Sequence, residues 1–189
     1  MDIAELSRRL ENLIRIGIVA EVDHAARRVR VDSGGLQTDW LKWCAGRAGA
    51  TRTWSPPTVG EQVMILSPSG ELANGIVMPS IYSDSLDTPS DDSNLHIAEF
   101  PDGARITYNH ATGALTASGI QTATIQAEQR VTIDCPATRI TGTLEVDELV
   151  IAHAGVTNDG GVIQSHGIVL DSHRHSGVQP SNGNSGGPL

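Results

Sequence analysis

Large side chains are scarce in this chain of 189 residues: aromatics make up 3%, with one Phe against 20 Gly. Compact cores lean on aromatic bulk, so the composition points to a loose core or to thin, repetitive layers. Cysteine is nearly absent. Cys44 and Cys135 lie far apart with no CxxC spacing, which argues against a disulfide scaffold or a zinc ribbon. They read as small buried or half-buried side chains of a protein made in a reducing cytoplasm. No run approaches the roughly 18 apolar residues of a membrane span. Cations are the minority, 13 Lys and Arg against 22 Asp and Glu for a net charge of −9. No nucleic-acid partner is expected, because phosphate neutralisation needs Lys and Arg; the acidity serves solubility. Signatures of catalysis are missing as well: there is no GxSxG, HExxH, phosphate loop or Cys/His pair at informative spacing. "MDIAELSRRLENLIRIG" carries charges throughout, so it does not read as a signal peptide.

What is present divides into regions. Residues 1–16 read as a helix, with Ile3, Leu6, Leu10 and Leu13 spaced 3, 4, 3, Asp2 placed to cap it and Gly17 to end it. The stripe fits a short coiled coil or a helix docked on its own domain. Residues 17–83 read as short strands. "GIVAEVD" and "RRVRVDSG" alternate around a connection at His24 to Arg27; "EQVMILSPSG" and "GIVMPSIYS" follow, and the set suits a small closed barrel such as an OB-fold. Trp40, Trp43 and Trp54 share one connecting stretch, either as an exposed docking trio or as packing over the barrel end. The interval 84–98 opens on "DSLDTPSDDS" and reads as a linker.

From 99 to 189 the pattern is β without helix. Along "ATRITGTLEVDE", Thr138, Ile140, Gly142, Leu144 and Val146 share one face, and Arg139, Thr141, Thr143, Glu145 and Asp147 the other. "ARITY", "ATIQA" and "VTIDC" alternate in the same way, with inward residues too small for a sandwich core about 10 Å thick. Gly155-Val156, Gly161-Val162 and Gly167-Ile168 recur every six residues, the period of a β-helix or prism. Three copies in one chain bury little, whereas three chains around one axis would each supply a face and leave no strand edge open.

"DSHRHSGV" follows that repeat. In a strand His173 and His175 share a face and Arg174 points away. One chain offers a metal two imidazoles; three chains on an axis offer six. Six-coordinate nitrogen argues against zinc and makes iron the first choice. A solvated histidine pair is the alternative. His153 and His166 read as surface or prism-lining residues, and His24, His96 and His110 as turn residues.

The order helix, OB-type barrel, acidic linker, Thr-rich prism and terminal HxH resembles the baseplate assembly protein V family, the central spikes of contractile-tailed phages and of phage-derived bacteriocins (R-type pyocins). The stretches that carry it are "GIVAEVDHAARRVRVDSGG", "TWSPPTVGEQVMILSPSGELANGIVMPSIYS", "FPDGARITYNHATGAL" and "HGIVLDSHRHSGV". The resemblance implies a mainly β fold: a short helix, an OB-fold barrel and an intertwined trimeric β-helical spike. It implies one iron per trimer on His173 and His175 of three chains. The partners implied are two further copies, tail-tube and baseplate proteins and, mechanically, the target outer membrane. It implies a non-enzymatic protein made in the bacterial cytoplasm and released by lysis at the tip of a particle. Two other readings fit the same repeat and histidines. One is a small hexapeptide-repeat trimeric enzyme of acyltransferase or carbonic anhydrase type. The other is a receptor-binding fibre.

Overall fold

The computed structural model describes residues 2–170 and Ser172. The chain is mainly β and divides into two units, 1–126 and 127–189.

Helix α1 (Ile3–Asn12) opens the first unit. Its Ile3, Leu6 and Leu10 stripe faces solvent. The helix is held instead through Arg9, whose backbone lies so close to Gly70 that a Cβ there would collide with it. Asp2 does not cap it by its side chain; only the Asp2 carbonyl takes part, accepting from the Leu6 N–H at 3.0 Å. Gly17 does not end it either. The helix stops at Asn12 because Ile14, Ile16 and Ile18 begin a period-two run, and Gly17 falls inside the strand that this run forms.

That strand is β1 (Ile14–Asp23). With β2 (Arg28–Ser33), β3 (Leu36–Gln37), β4 (Lys42–Trp43), β5 (Gln62–Leu66) and β6 (Ile76–Ile81) it forms one sheet of order β3-β2-β1-β5-β6-β4. Pairing is antiparallel except between β4 and β6. Leu41, just before β4, exchanges both backbone hydrogen bonds with Val29 of β2, at 3.0 and 2.8 Å. The two ends of the sheet thereby meet, and the sheet closes into a barrel. A bulge between Val19 and Glu21 in β1 supplies local coiling.

Val19, Val29, Val31, Leu41, Val63, Ile65 and Val77 fill the barrel, each at most 1% exposed, with Val22 and Trp43 packed against them. The composition pointed to a loose core or to thin, repetitive layers; in the barrel the core is narrow and is filled by aliphatic side chains, each contributing about 1.5–3 kcal/mol of burial. The two cysteines are not buried as expected: both are exposed thiols. Cys44 follows the two-residue edge strand β4, and Cys135 lies on a stretch that is exposed among the described residues.

Residues 83–94 form self-bonded turns, with Asp92 accepting from both nitrogens of Asn94, at 2.9 and 2.8 Å. These contacts hold the Asp92 carboxyl below the usual carboxylate range. A three-stranded meander follows: β7 (Leu95–Glu99), β8 (Arg105–Asn109) and β9 (Ala114–Ser118). The 84–98 interval thus takes in most of β7, and His96 is a strand residue, not a turn residue. An ion pair of 3.0 Å ties Arg105 to Glu99 across the first rung.

Between residues 119 and 163 no strand forms within the single chain, and Ile125, Ile133, Ile140, Leu144, Leu149 and Val156 are exposed. "ATIQA", "VTIDC" and "ATRITGTLEVDE" were expected as strands. A period-two segment becomes one only when a neighbour pairs with its backbone, and the described residues supply no neighbour here.

Candidate functional site

The histidines assigned to metal, His173 and His175, lie outside the described residues. The chain leading to them is described. β10 (Gln164–Ser165) and β11 (Ile168–Val169) form a minimal hairpin. His166 and Gly167, at φ of 49° and 79°, make its two-residue turn, matching the positive dihedrals of a type I′ turn. The Leu170 N–H extends the pairing to the Ile163 carbonyl at 2.9 Å. The six-residue repeat is also a repeat of backbone conformation: Gly155, Gly161 and Gly167 have φ of 110°, 94° and 79°. Only glycine holds such angles cheaply, which is why it recurs there.

The remaining histidines are scattered. His166 sits exposed in the hairpin turn with its Nδ1 3.1 Å from the Ser165 hydroxyl, and His153 is exposed. Among the described residues no three His, Cys, Asp or Glu side chains gather as a metal site. No helix among them is long and apolar enough to cross a membrane.

A concavity on the barrel was not anticipated from the sequence. It lies on the barrel between the β1–β2 turn and a small hairpin at residues 45–54, with a volume of about 760 Å³. The hairpin is held by the Ala48–Arg52 bridge, by the Thr53 N–H on the Arg47 carbonyl at 3.0 Å, and by the Arg47 N–H on the Thr53 hydroxyl at 2.9 Å. Arg27, Arg28, Lys42, Arg47 and Arg52 line the cavity, and no acid does. Trp43 and Trp54 stand in it 5.9 Å apart at 59°. The tryptophan trio therefore splits. Trp43 packs on the core, Trp40 lies under the Arg30 guanidinium at 5.1 Å, and Trp54 is 61% exposed. The available signal was the basic doublet Arg27-Arg28 at the start of β2 together with "RAGATRTW", two basic stretches in an acidic chain.

Comparison with known proteins accounts for the order of these parts. Residues 15–82 match the type VI secretion system/phage-baseplate injector OB domain, residues 119–172 the phage spike trimer, and residues 167–188 the GpV apex motif. The apex match spans both His173 and His175. Over an alignment of 209 residues the chain is 44% identical to the spike protein of Escherichia phage P2, covering all of this chain and 98% of that one. This chain belongs to the phage baseplate assembly protein V, or spike, family. Its role as a member of the spike family is that of a structural tail-spike protein. The OB match coincides with the closed barrel. The spike match falls on the stretch whose apolar side chains are exposed among the described residues. Nothing in these matches favours the hexapeptide-repeat enzyme or the receptor-binding fibre.

Proposed function

We propose that this protein is the homotrimeric central spike of a contractile-tail particle, a phage or an R-type pyocin. In this reading it caps the tail tube, binds neighbouring baseplate proteins, and is driven first into the target outer membrane when the sheath contracts. In this reading helix α1 (Ile3–Asn12) precedes the OB domain, residues 83–94 are the connection, and the spike begins with the β7–β9 meander. The observation that carries the reading is the exposed apolar run from Ile120 to Val162, within the match to a phage spike trimer. Three chains wound together would pair those strands and cover those side chains, and a slender closed prism concentrates force on a small area. It acts mechanically, without an enzymatic step, and the particle is released by lysis.

At the tip, His173 and His175 of three chains hold one iron ion. The donor set fits: two imidazoles per chain separated by one residue, with no Cys in the apex stretch, suit a first-row divalent metal. The ion supplies a cross-link among three chain ends, and its binding energy is folding energy. Light scattering on the purified protein should give three chains per particle, and a stable monomer would sink the reading. Elemental analysis should find about one iron per trimer, reduced to background by His173→Ala with His175→Ala. One metal per chain, or none from iron-replete medium, would refute the six-histidine site while leaving the trimer intact.

A further inference from the structure

We propose that the cationic concavity between the β1–β2 turn and the 45–54 hairpin is a docking site for an acidic, extended polypeptide segment of another protein in the particle. Five of the chain's 13 Lys and Arg converge there, and none of its 22 Asp and Glu lines the cavity. Among the described residues none of the five is ion-paired to an acid. Cations assembled without counter-charges in a chain of net charge −9 raise the local concentration of anionic partners. The cavity also has an apolar floor. Trp43 is anchored on the barrel core, and Trp54 tilts against it while remaining 61% exposed. Rigid indoles flanked by arginines suit a segment that alternates carboxylates with an apolar or proline residue.

Both walls are fixed. The β1–β2 turn is held by the Ala26 N–H on the Asp23 carboxylate at 2.8 Å, and the hairpin by its own bonds. The site is preformed, so little ordering cost falls on the protein side. A polynucleotide fits less well. It needs a continuous cationic track, whereas these cations gather in one cavity of about 760 Å³ and the rest of the chain repels a polyanion.

The test uses the full-length protein and a short synthetic Glu/Asp-rich peptide with a central Leu-Pro, followed by tryptophan emission. Saturable binding is expected, weakening with salt. It should fall roughly tenfold or more in Arg47→Glu with Arg52→Glu, fall also in Trp54→Leu, and be unchanged in Arg8→Ala. Near-UV circular dichroism checks that each variant is folded; if charge reversal disturbs the fold, Arg47→Gln with Arg52→Gln replaces it. Absence of a saturable signal, equal affinity in the Arg47/Arg52 variant, or tighter binding of a single-stranded oligodeoxynucleotide of matched charge would each overturn the assignment.

Discussion

Gly17 and Val31 meet across the β1–β2 pair with no room for another atom: a Cβ on Gly17 would lie 2.5 Å from Val31 Cγ1 and 2.6 Å from the Asp32 carbonyl oxygen. Neither neighbour can withdraw, because Val31 is fully buried and the other contact is backbone. Glycine elsewhere in a strand is a weakness; here it is what lets β1 and β2 approach so closely. Gly17→Ala should therefore destabilise by about 1–3 kcal/mol through overpacking. A denaturant midpoint equal to or above the parent would contradict the geometry.

Arg15 is the clasp between helix and barrel. It donates from Nε to the Ser33 hydroxyl at 3.1 Å, from Nη2 to the Ser33 carbonyl at 3.1 Å and from Nη1 to the Asn12 side-chain oxygen at 2.9 Å. The Ser33 hydroxyl in turn donates to the Ile16 carbonyl at 2.7 Å. Lysine cannot reproduce a planar fork aimed at three acceptors. Arg15→Lys should cost about 1–3 kcal/mol, chiefly by leaving buried Asn12 and Ser33 short of a donor. A double-mutant cycle of Arg15→Ala with Asn12→Ala checks this. Strict additivity would mean that the contact does no stabilising.

The helix carries its own pH dependence. Arg8 and then Arg9 hold the Glu5 carboxyl down from an ordinary 4.5 to about 2. Folded Glu5 releases its proton more readily than unfolded Glu5, so its contribution is complete above pH 4.5 and is lost as pH falls toward 2. Between those values the melting temperature of the parent should fall more than that of Glu5→Gln, the difference shrinking in high salt because the pairs are exposed. Parallel curves for the two proteins would remove Glu5 from the account.

The barrel was legible in the sequence because its strands alternate around local turns, and each strand finds its partner within the same chain. The helix was legible as an element, but its ends were not. Asp2 has the right residue type for a cap and makes no side-chain cap bond; Gly17 looked like a terminator and serves a close approach made by a strand residue 14 positions later. Period alone could not show either. The spike stretch is the reverse case. The alternation around Leu144 is plain in the sequence, yet no ladder forms there among the described residues; in the proposed trimer the neighbours come from other chains. The Arg47 and Arg52 site was hidden for a different reason: its cations come from the β1–β2 turn, the start of β2, β4 and the 45–54 hairpin, separate in sequence and brought together only by the folded barrel.

Leu144 offers a direct test of how that stretch is used. Ile140, Leu144 and Val146 are exposed in one chain at 54, 65 and 47%, while Thr141, Thr143 and Glu145 alternate with them along the segment. If three chains wind together, the first set turns inward, and burial of each Leu contributes about 1.5–3 kcal/mol, counted once per chain. A carboxylate there would bring three like charges together in a narrow core, where an unpaired charge is far more costly than the lost apolar contact. Leu144→Asp should abolish the trimer in light scattering at low micromolar concentration. Thr143→Asp, one residue away on the outer face, should leave it assembled with a melting temperature within a few degrees of the parent. Equal tolerance of the two substitutions would show that the period-two pattern does not separate an inner from an outer face, and a trimer built on those strands would then be the wrong structure.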